Sequence, residues 1–302
     1  MSGIIFDIQN YAIYDGPGIR SCVYFKGCPL QCRWCHNPES QNAAPEMGYM
    51  LEKCALCGKC AEACPNRAIE LLDGHVSRNR EKCAACGACA EICPNGAVER
   101  IGIEITADRI IEKIVRDKPF YDNSGGGVTI SGGEPTFQSD FLLELLRMIK
   151  DMGINTAIET SGYFSRDLIP TLISAVDTFL FDLKHIDSAR HREAVGAGNE
   201  IILDNFAEIL SSVGPTRIIP RIPLIPGFNT DDTAISDMIS FLKKTGYRGG
   251  VHLLPHHGWA KSKYEKIGRG DSFRDPGNMS EKEIETIKKR FTGAEFKPLL
   301  YG

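Results

Sequence analysis

Eleven of the twelve cysteines in this 302-residue chain fall in three tight clusters, and only Cys22 stands apart. In a reducing compartment disulfides rarely persist, so thiols at this density read as metal ligands or redox centres. The first cluster, Cys28, Cys32 and Cys35, is a C-x-x-x-C-x-x-C run. The other two form an internal repeat. CALCGKCAEACPNRAIE, from Cys54, and CAACGACAEICPNGAVE, from Cys83, agree at 12 of 17 positions with an offset of 29 residues.

Each repeat fits C-x-x-C-x-x-C-x-x-x-C-P, the spacing of two-cluster bacterial ferredoxins, in which the fourth cysteine crosses to the other cluster. One [4Fe-4S] cluster is then expected on Cys54, Cys57, Cys60 and Cys93, and its partner on Cys83, Cys86, Cys89 and Cys64. Gly58 and Gly87 let the backbone pass close to sulfide, while Pro65 and Pro94 redirect the chain after the last ligand. The alternative is zinc, for which a duplicated run with crossing ligands has no tetrahedral rationale. The Cys28, Cys32, Cys35 run supplies only three thiolates. One iron of a third cluster is left open for a substrate or cofactor, unless Cys22 closes it as a fourth ligand. Cys22 lies in a predicted strand, which suits burial as a small apolar side chain.

These cysteines need a scaffold, and beyond Glu99 the sequence changes to alternating strands and helices. Strands are expected at residues 21–26, 128–131, 156–160, 178–183, 216–222 and 250–254. Helices fill the gaps: TADRIIEKIVRD capped by Thr106, FQSDFLLELLRMIKDMG stopping at Gly153, RDLIPTLISAV, ILDNFAEILSSVG and TDDTAISDMISFLKKTG with Asp231 and Asp232 in its first turn. Strands separated by single helices imply a parallel sheet. Six of them suit an α/β fold, an incomplete (β/α)6 TIM-type barrel with its chemistry at the C-terminal strand ends. Residues 1–45 and 100–302 would form the barrel, and residues 46–99 an inserted ferredoxin-like α+β domain with two [4Fe-4S] clusters.

Composition narrows the class further. Apolar residues at 42% and charged residues at 25% match an ordinary globular protein, and no apolar stretch approaches a membrane span. A net charge of -4 gives no basic surface for nucleic acid, so neither nucleic acid nor membrane is expected as a partner. The start, MSGIIFDIQNYAIYDG, lacks the basic flank and long apolar run of a secretory signal, so a cytoplasmic location is expected.

The three-cysteine run followed by SGGEP at Ser131 to Pro135 resembles the radical S-adenosylmethionine superfamily. More narrowly, DGPGIR (Asp15 to Arg20), YFKGCPLQCRWCHNPES (Tyr24 to Ser40), FDLKHID (Phe181 to Asp187) and LLPHHGWAKSKY (Leu253 to Tyr264) resemble the glycyl-radical-enzyme activating enzymes. The chain is similar to pyruvate formate-lyase activase, which lacks the insert, and closer to the subgroup that carries it. That resemblance implies S-adenosylmethionine chelated to the open iron. One electron then cleaves the sulfonium bond, and the 5'-deoxyadenosyl radical takes a glycine alpha hydrogen from a partner enzyme. It also implies a C-terminal glycine loop on that partner, reduced flavodoxin or ferredoxin as electron donor, and a relay role for the insert, with a structural or docking role as the alternative.

Residue by residue, the resemblance places Gly132, Gly133 and Glu134 at the methionine part of the nucleotide, and Trp34, Cys35 and His36 at the adenine. Past a strand end, the two glycines free backbone groups to approach a zwitterion, and Glu134 can accept from its ammonium group. Taken alone, GGE is a turn and Trp34 is equally a core residue. Asp182 and Lys184 alternate along a strand and face one cavity, as a ligand pair or a structural ion pair. Arg221 and His257 match further nucleotide contacts, His256 replaces a tyrosine, and Glu159, Thr160 and Asp182 match a monovalent cation site. Gly125, Gly126 and Gly127 read as a loop, since no GK[ST] follows. His75, His185, His191 and His252 read as surface or packing residues, and Lys261 to Lys263 as a solvated face. Arg20, in a turn-rich loop, is expected to help dock the partner, and the lack of a seventh and eighth strand to leave the barrel mouth open. Two other functions fit parts of the sequence: a radical enzyme acting on a small molecule, and a noncatalytic electron carrier, which leaves SGGEP unexplained.

Overall fold

The computed structural model describes residues 1–301, in which branched apolar runs lie where strand pairing buries both their faces. The strands in chain order are β1 (Ser2–Ala12), β2 (Arg20–Phe25), β3 (Glu46–Tyr49), β4 (Ile69–Leu72), β5 (His75–Arg78), β6 (Val98–Ile101), β7 (Ile103–Thr106), β8 (Gly127–Gly132), β9 (Asn155–Thr160), β10 (Thr178–Asp182), β11 (Ile218–Leu224), β12 (Gly250–Pro255) and β13 (Lys297–Leu300). Nine of them form one curved sheet in the order β13-β12-β11-β10-β9-β8-β2-β1-β7. From β2 to β13 every neighbour is parallel, whereas β1 and β7 add to the β2 edge in antiparallel register.

The six strands expected from sequence are all present. The expected count is corrected by β13, a seventh parallel strand that pairs Gly250 with Lys297 and Leu253 with Leu300. Its four residues, Lys-Pro-Leu-Leu, are mostly exposed and carry no period-2 pattern. Helices cover the outer face of the sheet. Ser139–Asp151 buries Phe141, Leu142, Leu145, Leu146 and Ile149, each such side chain stabilising by roughly 1.5–3 kcal/mol. Asp232–Lys244 begins where the Asp231 side chain accepts from the Ala234 amide at 2.9 Å.

The cysteine repeat interrupts the barrel between β2 and β8. β3 and β6 pair antiparallel, from Glu46 opposite Ile101 to Tyr49 opposite Val98, and close the interruption like the neck of a bag. Beyond them lie the β4–β5 hairpin and two one-turn helices, Lys59–Glu62 and Ala88–Glu91, around a separate core of Met47, Tyr49, Ile69, Ala85, Cys89 and Val98. A buried ion pair fastens this unit to the barrel: the Lys26 ammonium reaches Glu46 at 3.0 Å and donates to the Glu39 carbonyl.

Arg20 does not meet the solvent as a docking residue would. It is fully buried, donating to Thr129 Oγ1 at 2.7 Å and to the carbonyls of Pro17 and Val128. Burial pulls its pKa down to about 10. The DGPGIR loop is tucked into the barrel, with the Asp15 carbonyl accepting from Thr129 Oγ1 at 2.6 Å. Of the four histidines read as surface or packing, His75 is exposed and His185, His191 and His252 are buried.

Candidate functional site

The C-terminal ends of β8 to β12 surround a cavity of about 230 Å³, as the barrel rule requires. The loop after β2 forms its roof. That loop is pinned by backbone bonds from Gly27 N to Ser40 O at 2.7 Å and from Arg33 N to Ala194 O at 3.1 Å, which set Cys28, Cys32 and Cys35 on the cavity wall. Burial raises all three thiols, Cys28 to about 12, so each needs an adjacent positive centre to ionise. Cys22 is buried in β2 and does not line the cavity.

Opposite the cysteines, Glu159, Asp182, Lys184 and Arg221 form a continuous charged network. Arg221 Nε donates to Asp182 Oδ1 at 3.0 Å, its Nη1 donates to Glu159, and Lys184 Nζ reaches Asp182 Oδ2 at 3.1 Å. Burial alone would neutralise Asp182, but Lys184 and Arg221 outweigh it and hold the carboxyl below its ordinary range. Glu159 goes the other way: burial lifts it more than Arg221 lowers it. Glu159, Thr160 and Asp182, the expected cation ligands, all line the cavity, and the Arg221 guanidinium bridges the two carboxylates.

Trp34 combines its two sequence readings. It packs on Phe228 with ring centroids 4.6 Å apart, in a cluster with Leu30, Val195 and Ile225, and also faces the cavity beside His36. Gly132 and Gly133 line the cavity too.

Two expected ligands do not face it. Glu134 is buried beneath the wall, where its carboxylate accepts from Thr136, Thr160 and Ser161 at 2.6–3.4 Å. Through these bonds Glu134 ties together the loops after β8 and β9. His257 stacks on His36 at 4.4 Å and on Trp259 at 4.2 Å, while its neighbour His256 occupies the wall with Nε2 buried and unpaired. Sequence reasoning also missed Asn37, Ser40, Ser131 and Ser161. Ser131 and Ser161 are at strand ends, the signal that would have found them.

The eight cysteines of the repeat sort into two further cavities. Cys54, Cys57, Cys60 and Cys93 line one, and Cys64, Cys83, Cys86 and Cys89 the other. Each set mixes three cysteines of one repeat with the last of its twin. Among the described residues no three His, Cys, Asp or Glu side chains converge tightly enough to clasp a single metal ion.

Residues 22–239 match the sequence pattern of the Radical SAM superfamily, which spans more than half the chain. The chain belongs to the radical SAM superfamily. It is 41% identical, over all of both chains, to the trans-4-hydroxy-L-proline dehydratase activating enzyme of Clostridioides difficile. It is 43% identical to the (2S)-3-sulfopropanediol sulfolyase activating enzyme of Bilophila wadsworthia, over 89% of each. In fold, this radical SAM chain resembles SuiB of Streptococcus suis bound to the precursor peptide SuiA, with a TM-score of 0.52, 15% identity, and coverage of 91% of this chain and 46% of SuiB. No helix among the described residues is long and apolar enough to cross a membrane.

Proposed function

We propose that this radical SAM protein is an activating enzyme that installs a glycyl radical on a partner enzyme, using S-adenosylmethionine bound against a [4Fe-4S] cluster on Cys28, Cys32 and Cys35. The observation that carries this reading is one cavity in which three half-buried thiols face a network of two carboxylates and two cations. The relatives named as activating enzymes support it. When bound, the reduced cluster and S-adenosylmethionine supply a 5'-deoxyadenosyl radical that removes one hydrogen from a glycine alpha carbon.

The chain's own residues prepare that step. Lys184 and Arg221 offer cationic donors to a carboxylate, and Asp182 holds both in place and charged. The Trp34 face and the His36 backbone suit an adenine. Leu30, Pro223, Ile225 and Leu254 give the cavity apolar walls that keep water from the reacting groups. A zwitterion entering this network meets matched charges in a dry site, where orientation contributes most to rate.

Residues 46–99 are read as a ferredoxin-like domain whose crossed cysteine sets hold two more [4Fe-4S] clusters, for three in the chain. They relay electrons from a reduced flavodoxin or ferredoxin. Electron paramagnetic resonance of the iron-loaded chain mixed with a candidate glycyl-radical enzyme should show a glycine-centred signal that requires S-adenosylmethionine and reductant. Nucleotide cleavage without that signal would overturn the proposal. For the relay, Cys57→Ala and Cys86→Ala should lose cleavage with a protein donor and keep it with dithionite; unchanged activity with both donors eliminates the relay.

A further inference from the structure

The two cysteine nests of the insert come from nearly identical repeats, yet their surroundings differ in charge. The nest of Cys64, Cys83, Cys86 and Cys89 is otherwise walled by Met47, Ala68, Ile69 and neighbouring uncharged residues. The nest of Cys54, Cys57, Cys60 and Cys93 also includes Arg78, from the end of β5, and Lys59, which is exposed to solvent. The Arg78 guanidinium carbon lies 3.6 Å from the centre of the buried Tyr49 ring, a cation–π contact that fixes its plane. Its Nε is buried and has no hydrogen-bond partner in the protein. A buried N–H donor left open at the wall of a nest of four thiols points to an acceptor inside that nest, and cluster sulfur is such an acceptor.

We propose that Arg78 sets the potential of the cluster on Cys54, Cys57, Cys60 and Cys93, raising it above that of the neighbouring cluster so that the first electron comes to rest there. This rests on the two-cluster reading of the insert. One-electron reduction by a flavodoxin or ferredoxin adds negative charge to the cluster. A fixed guanidinium with a free donor stabilises that charge, and Arg stays protonated at any working pH. The affected nest also sits at the end of the β3–β6 pair away from Glu46. It lies beside Val98, opposite Tyr49, whereas the other nest includes Met47, next to the Glu46 that anchors the insert to the barrel. The 29-residue repeat has no second copy of this arginine, since β5 lies between the two cysteine runs.

Potentiometric titration of the full-length, iron-loaded chain, followed by electron paramagnetic resonance, tests the assignment. Arg78→Gln should shift one insert signal so that its reduced-to-oxidised ratio at a fixed potential falls about tenfold, equivalent to 59 mV for one electron, while the other stays put. Introduced into a Cys86→Ala chain, the same change should still move the surviving insert signal. In a Cys57→Ala chain it should move nothing. Both potentials unchanged in Arg78→Gln with full iron content overturns the role of Arg78 and leaves the two-cluster reading intact. About four irons per wild-type chain instead of about twelve overturns both. If Arg78→Gln fails to load iron, Arg78→Lys, which keeps charge but loses the planar fork, decides: a smaller downward shift of the same signal supports the assignment, and no shift ends it.

Discussion

Glu134 ties the loops after β8 and β9 together from beneath the cavity wall. It accepts five hydrogen bonds, two each from Thr136 and Ser161 and one from Thr160. Burial pushes its carboxyl up, and those donors work against the shift. Glu134→Gln turns an NH2 group toward hydroxyl or amide donors, so it should destabilise the fold by about 1–3 kcal/mol in denaturant titrations. Affinity for S-adenosylmethionine should change by less than threefold, or ~0.7 kcal/mol, by calorimetry on folded protein; a tenfold loss would make Glu134 a direct ligand. The sequence placed Glu134 beside the site but not its orientation, because the three partner side chains come from two different loops. Arg20 was misread for a similar reason. A turn-rich context suggests solvent, and only the fold shows Val128, Thr129 and Asn155 closing around the guanidinium.

Among the elements, the junction between β8 and the cysteine loop leaves no room for a side chain. Gly133 N donates to Phe25 O and Glu134 N to Gly27 O, both at 2.9 Å, so the SGGEP turn lies directly against the start of the loop. A Cβ on Gly133 would fall 2.2 Å from the Gly27 carbonyl oxygen, and Gly132 has a φ of 112° that other residues rarely adopt. Gly133→Ala should therefore unseat the loop: total iron should fall by about four per chain while the insert signals remain. Full iron content in that variant would contradict the seating role. The parallel strands were legible because burial on both faces leaves continuous apolar runs such as VTI in β8 and TFLF in β10. The edge strand β13 was not, being short, exposed and interrupted by Pro298.

At the scale of the molecule, the repeat between β3 and β6 is expected to behave as a cassette. Tyr49 and Val98 are paired across its neck, so residues 50–97 can be replaced by an Asn-Gly turn without moving β3 or β6. The shortened chain should fold, bind S-adenosylmethionine and hold about four irons. An insoluble product would show that the barrel depends on the insert core. The repeat marks an inserted segment in sequence, read as 46–99, while the clasp of Lys26, Glu46 and Arg269 beside it joins residues from three separate segments and left no local pattern. The position of the cassette also orders events on the ribosome. β2 is made early, but its parallel neighbour β8 pairs Gly127 with Arg20 only after the whole cysteine repeat has emerged. At translation rates of about 5–20 residues per second, the repeat is complete and open to iron delivery for several seconds before the strands that wall the reaction chamber exist.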